Sequence, residues 1–443
     1  MADEWLWKSA ADLGRAIGDG QAHPVEVTEA YLSAIDAHPD AARIYARTTP
    51  DRARAAAMAA AGRAKDGRRK GMLDGVPLSW KDLFDAVGVA CEAGSALLKG
   101  RMPEADAEAL HLATLQGLIC LGKTHMTELA FSGLGLNPVT ATPPNRNFAG
   151  AVPGGSSSGA AASVALGLAP AAIGSDTGGS VRIPAAWNDL VGFKPTWGRV
   201  SLNGVVPLCP RFDSVGPIAR TVEDCALIFA VLQGSPAADL RGQSLLGARL
   251  AVLETVAMDD IRDAPAKGFD DAVQRLSRAG ARITRLKAPE VTEAMALAGS
   301  LFSPEAYGTW GKLIETAPDK MFAPVLERFR SGAAVKAADY VAGWQRLDRL
   351  RADWAARAAE FDTVLLPTSV ILPPDAARLL SDPAYFTGEN LLALRNTRIA
   401  NLFGLCAITL RTSQPSCGIS LLGPAMQDER LLRLASAAER ALA

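Results

Sequence analysis

Two glycine-serine clusters and one lysine carry the residue types with which this chain could do chemistry. The clusters read Gly154-Gly155-Ser156-Ser157-Ser158-Gly159 and Asp176-Thr177-Gly178-Gly179-Ser180. The lysine sits earlier, in Val76-Pro77-Leu78-Ser79-Trp80-Lys81-Asp82. A serine hydroxyl becomes a nucleophile only when a base takes its proton. Lysine can be that base where a dry site keeps its amine neutral, and Trp80, Leu83 and Phe84 flank Lys81 with apolar bulk. Glycine lets backbone approach a reacting atom closely, so successive N–H groups of a Gly-Gly-Ser turn can converge on an oxyanion. The chemistry these residues offer is serine acyl transfer with lysine as the base.

Two other local patterns compete and fail on context. Gly117-Leu118-Ile119-Cys120-Leu121-Gly122-Lys123-Thr124 fits the P-loop spacing letter for letter. A P-loop, however, uses its middle residues as an anion nest entered from a strand. Here they are bulky and apolar and follow a helical segment, so they read as the strand itself. Gly155-Ser156-Ser157-Ser158-Gly159 also fits the G-x-S-x-G elbow of α/β-hydrolases, centred on Ser157, but that fold takes its histidine from later in the chain. All four histidines (His23, His38, His111 and His125) precede it. Only His125 could approach in space, and it reads more simply as a polar loop residue.

Taken together, the segments around Lys81, Ser156 and Ser180 resemble the amidase signature family, whose members hydrolyse C–N bonds with a Ser–Ser–Lys triad. The resemblance runs from Asp74-Gly75-Val76-Pro77 through Gly192-Phe193-Lys194-Pro195-Thr196 to Gly216-Pro217-Ile218-Ala219-Arg220. It is close over about 70–225 and weak over about 240–400, the stretch expected to determine the substrate. The resemblance implies that Ser180 attacks the carbonyl, that Ser156, after a cis peptide bond, relays the proton, and that Lys81 receives it. The N–H groups of Thr177, Gly178, Gly179 and Ser180 would form the oxyanion hole, where one donor contributes about 3–4 kcal/mol. Ser157 and Asp176 would hold the triad and Arg182 would brace the nucleophile loop. Ser132 would line the acyl pocket, and Arg211, in Cys209-Pro210-Arg211-Phe212, could gate its mouth. The substrate expected is a small amide, with carbamates and esters fitting the same chemistry. The glutaminase/transamidase A subunit of a glutamyl-tRNA amidotransferase-like complex is the alternative, and a non-catalytic relative a third.

Elements must then position these residues. Alternating signals argue for an α/β architecture. Two helices are expected over 9–38, with Ser9 as N-cap and Pro24 opening the second. Arg52–Lys65 reads as an exposed helix and Arg68–Lys70 as a solvated turn. Glu104–Gln116 reads as helix, Leu118–Leu121 as buried strand, and a helix is expected from about Met126. Ala160–Ile173 reads as a buried core helix. Arg249–Leu253 is an expected strand, Ala264–Ala279 a helix and Ala281–Thr284 a strand. No linker or repeat divides the chain, so one large domain over 1–443 is expected, and the resemblance implies a central mixed twisted β-sheet surrounded by α-helices.

The 443 residues, 49% hydrophobic with net charge −1, suffice for a large core and give no electrostatic reason to expect nucleic acid or a membrane surface as partner. The acidic start Met1-Ala2-Asp3-Glu4 does not read as a signal peptide. Six scattered cysteines show no zinc or redox spacing. These features suggest a cytoplasmic protein without metal or cofactor, acting as a monomer or homodimer on a small molecule.

Overall fold

The computed structural model describes residues 3–443. Eleven strands form one mixed sheet. They are β1 (Tyr45–Thr48), β2 (Pro77–Lys81), β3 (Ile119–Thr124), β4 (Ala171–Ser175), β5 (Val191–Lys194), β6 (Val215–Ala219), β7 (Arg249–Leu253), β8 (Arg282–Leu286), β9 (Thr363–Pro367), β10 (Cys406–Arg411) and β11 (Gly418–Gly423). Their order across the sheet is β1-β3-β2-β4-β6-β5-β10-β11-β9-β7-β8. One parallel group, β3-β2-β4, and another, β9-β7-β8, are joined by antiparallel pairs through the middle. Central strands such as β4, β6 and β11 are buried throughout, because helices cover both faces and each strand must then be small or apolar on both sides. The outer strand β8 is mostly exposed and carries Arg282 and Arg285, charges that discourage edge-to-edge pairing.

Most expected elements are present. Helices Ala10–Gly18 and Pro24–Ala37 occupy 9–38, and the Ser9 hydroxyl accepts from Asp12 N. The helix Pro50–Lys65 buries Ala53, Ala57 and Ala60, so one of its faces is packed. The P-loop-like string forms β3, as its apolar middle suggests. The helix expected from Glu104 starts only at Glu108, because Asp106 turns away to pair with Arg52 and Ala107 N donates to Asp85 O.

Two expectations are overturned. Ala160–Ile173 is not one helix: helix Ser158–Ala165 ends, the chain turns at Gly167 (φ +76), and β4 begins at Ala171. Gly167 in the left-handed region and Pro170 stop the helix. Nor does a helix follow Met126. Only the short turn Glu128–Ala130 forms, with Leu129 and Ala130 at positive φ. The buried Glu128 carboxylate accepts from Ser95 Oγ and Phe322 N, drawing the backbone out of helical register.

This topology brings the site together. Lys81 ends β2 and Ser175 ends β4, and these strands are parallel neighbours with Trp80 opposite Ile173. Parallel strands open their carboxyl ends on one edge of the sheet, where the connecting loops converge.

Candidate active site

At that edge the Lys81 amine donates to Ser156 Oγ at 2.8 Å and to Ser175 Oγ at 2.7 Å. Lys81 is 0% exposed and touches no carboxylate. Burial pulls its pKa down to about 7, against the weaker opposing fields of Asp213 and Asp176. The Gly155–Ser156 peptide is cis. Gly155 is required by close approach, since a Cβ there would lie 2.6 Å from both Gly135 N and Thr127 Oγ1. Ser157 stands at the N-cap of helix Ser158–Ala165, where its hydroxyl donates to Ser175 O at 3.2 Å and its N–H to Ser180 O at 3.2 Å. Ser157 therefore ties the two serine loops together. His125 uses its backbone to hold Ile44 and Gly159.

The loop that carries Ser180 is built around Asp176. Its carboxylate accepts from Arg182 Nε at 3.0 Å and Arg182 Nη2 at 2.9 Å, a bidentate pair with both side chains fully buried. It also accepts from Gly179 N, Val181 N and Asn401 Nδ2. Burial pushes the Asp176 pKa upward, but Arg182, with Lys194 and Asn401, outweighs it and holds the carboxylate down at about 2. Gly179 has φ +136, and a Cβ there would lie 2.0 Å from Thr397 Oγ1. One expectation needs correcting here. The Gly179 N–H is already spent on Asp176 Oδ1 at 2.9 Å and is turned away from any oxyanion. Among the described residues, the N–H groups of Thr177, Gly178 and Ser180 have no protein acceptor, so the candidate hole has three donors.

Ser180 is 3% exposed and opens on a slot of about 20 Å³, room for little more than one water-sized group. No hydrogen bond joins Ser180 Oγ to Ser156 Oγ, whose partner is Lys81. Ser132 lines the slot as expected and donates to Asn390 Oδ1 at 3.0 Å. Arg211 does not line it. Its guanidinium stacks 3.9 Å over Trp344, beside a separate cavity of about 670 Å³. Exposed cations find aromatic faces readily, and Trp344 is the stronger attraction.

Residues with no local signature complete the site. Ser175 shares the lysine and was legible only once the end of β4 was placed. Thr177 Oγ1 donates to Asp213, and Thr397 Oγ1 to Gly178 O at 2.7 Å. Asn390, Thr397 and Asn401 all lie on the helix Pro383–Leu402, more than two hundred residues from the loops they brace. Arg328 and Arg398 also line the slot. Among the described residues there is no cluster of three His, Cys, Asp or Glu arranged to hold a metal ion.

With this geometry in view, the similarities to known proteins are informative. Residues 26–432 match the sequence model of the Amidase family. The chain is 38% identical to 2-amino-5-chloromuconic acid deaminase of Comamonas testosteroni, covering 87% of this chain and 85% of that protein. It is 31% identical to the A subunit of the glutamyl-tRNA(Gln) amidotransferase of Acidothermus cellulolyticus, covering 98% and 94%. In three dimensions it superimposes on a crystal structure of an amidase with a TM-score of 0.88 and 27% identity, covering 98% of this chain and all of that one.

Proposed function

The chain belongs to the amidase signature family, and from this premise we propose that it hydrolyses the C–N bond of a small amide through a Ser180 acyl-enzyme. The observation that carries the proposal is the buried Lys81 amine, held on Ser156 without a carboxylate in contact. An amine so placed is partly neutral near pH 7 and able to accept a proton.

In this reading Ser180 Oγ attacks the amide carbonyl while its proton passes to Ser156 Oγ and the Ser156 proton to Lys81. The link between the two hydroxyls closes as substrate seats, since catalytic hydrogen bonds often tighten only in the substrate complex. Thr177, Gly178 and Ser180 N–H groups hold the oxyanion. Lys81, now an ammonium, returns the proton through Ser156 to the leaving nitrogen, which departs as ammonia or an amine. Water then repeats the sequence on the ester, releasing the acid and free Ser180. Ser175, at 2.7 Å, holds the amine in place between protonations. Carbamates and esters fit the same steps, and no metal or cofactor is required by them. Six reduced cysteines, all buried, suit a cytoplasmic setting.

The fluorophosphonate-labelled protein, digested and weighed by mass spectrometry, should carry one adduct, on the Ser180 peptide. An adduct on Ser157 instead, or none, would defeat the proposal.

A second reading is favoured by the match to an amidotransferase component along almost the whole chain. In that role the protein would release ammonia from glutamine within a larger assembly. The purified chain hydrolysing small amides with no partner present speaks for the first reading; glutamine turnover only with partners speaks for the second.

A further inference from the structure

Two arginines line the Ser180 slot, Arg328 from the helix Ala323–Arg330 and Arg398 from the helix Pro383–Leu402. Both also line a wider cavity of about 670 Å³ whose walls include Met295, Ala298, Phe302 and Phe386. They stand where the slot and that cavity meet. Among the described residues neither has a carboxylate within 4 Å, although Arg47, Arg52, Arg63, Arg101, Arg182 and Arg262 all do. Arg328 donates to Phe131 O at 2.8 Å and lies 4.2 Å over the Phe131 ring. Among the described residues the Arg398 side chain has no hydrogen-bond partner, and its guanidinium lies 5.9 Å over the Phe302 ring. Nearby acids are engaged elsewhere: Glu389 with Arg262, Glu327 with Arg330, and Glu305 with Arg211 N and Tyr340.

Both side chains are partly buried and open on the cavity, and two like charges that face one cavity with no carboxylate partner repel each other. Burial and mutual repulsion lower the pKa of Arg328 to about 9, and burial lowers that of Arg398 to about 10. Such an arrangement is accounted for if an anion completes it. Guanidinium groups offer planar, forked donors that match a carboxylate with two parallel hydrogen bonds.

We propose that Arg328 and Arg398 form an acid-recognition site, and that the substrate is a small amide bearing a free carboxylate, which they hold while its amide carbonyl reaches Ser180. The proposal rests on Ser180 hydrolysis and adds the substrate class. The narrow slot admits the amide end, and the wider, apolar cavity accepts the rest of the molecule. Ser132 in the slot donates to Asn390 Oδ1 in the wider cavity, so the two spaces share a polar wall beside the arginines.

The test uses the full-length protein and the monoamides of short dicarboxylic acids, each paired with the same amide carrying a methyl ester in place of its carboxylate. At least one free acid should exceed its ester in amide-cleavage kcat/KM by about 100-fold, the scale of one charge-assisted contact. Arg328→Met and Arg398→Met should each lower that preference, mainly through KM. In the Ser180→Ala protein, the corresponding dicarboxylates should raise Tm, and adding both arginine substitutions should remove the effect. Esters cleaved as well as acids throughout the series would overturn the proposal. So would inorganic phosphate stabilising as well as any dicarboxylate, since the site would then be a general anion site. A sharp fall in ligand-free Tm on Arg398→Met would make that arginine structural and also count against it. Fluorophosphonate labelling of Ser180 separates the two levels: label with no acid preference leaves hydrolysis standing and removes only the acid site.

Discussion

Arg182, beside the Ser180 loop, meets the Asp176 carboxylate through two nitrogens, whereas Arg398, on the helix that braces the same loop, meets none. The contrast extends to the regions around them. Around the two serine loops the buried charges have internal partners or are neutralised: Asp176 has Arg182, Asn401 and two backbone N–H groups, and Lys81, at the end of β2, is driven toward its neutral form. In the helical layer of 289–402 two cations are left facing a cavity. A region whose polar groups satisfy one another holds a geometry, and one that leaves charges unpaired is shaped for what arrives from outside. This matches the division visible in the sequence, close to the family over 70–225 and individual over 240–400.

The largest effect should come from the self-contained region. Lys81→Arg keeps the charge but cannot shed a proton, so activity should fall by about 1,000-fold or more with the fold intact by circular dichroism. Retention of most of the activity would remove Lys81 as base. In the unaltered enzyme the same logic gives a pH limb. Lys81 must be neutral and its pKa lies at about 7, so kcat/KM should fall as pH drops below that value and level off above it. A flat profile from pH 6 to 9 would contradict it.

Arg182→Met and Arg398→Met set the two regions against each other. Removing Arg182 strands the buried Asp176 charge and should cost about 3–5 kcal/mol in urea unfolding, while Arg398→Met strands nothing and should cost almost none. Equal losses would erase the distinction.

Acid provides a finer probe of the paired region. The folded-state pKa of Asp176, at about 2, is below its ordinary value, so its pairing contributes fully above pH 4 and is lost as pH falls toward 2. The amount is about 2 kcal/mol, measurable as the loss of this pH dependence in Asp176→Asn relative to the parent.

The smallest effects separate two glycines. Gly155→Ala drives a Cβ into Gly135 backbone and should cost about 1–3 kcal/mol. Gly178→Ala meets nothing nearer than Leu394 Cδ2 at 3.6 Å and should cost less than about 1 kcal/mol.

The candidate residues Lys81, Ser156 and Ser180 could be singled out in the sequence because their chemistry is local: serines among glycines and a lysine in an apolar strand. So was the rejection of the P-loop, because Leu118 to Leu121 are bulky wherever the chain goes. The break at Gly167 was visible as glycine and proline yet misread, since an apolar run does not by itself distinguish a buried helix from a helix followed by a buried strand. The turn at Glu128 depends on Phe322, which no reading of its own neighbourhood could supply.

By itself, then, the sequence determined the α/β alternation and brought forward Lys81, Ser156 and Ser180 as candidates for chemistry, because these follow from residue type and short-range spacing. Only the tertiary structure decided that Gly179 gives its N–H to Asp176, that Ser175 shares Lys81, that Arg211 stacks on Trp344, and that Arg328 and Arg398 face Ser180 unpaired. Each of these depends on which acceptor or charge lies within a few ångströms after the sheet has closed, and hydrogen bonds and ion pairs act over that distance and not along the chain.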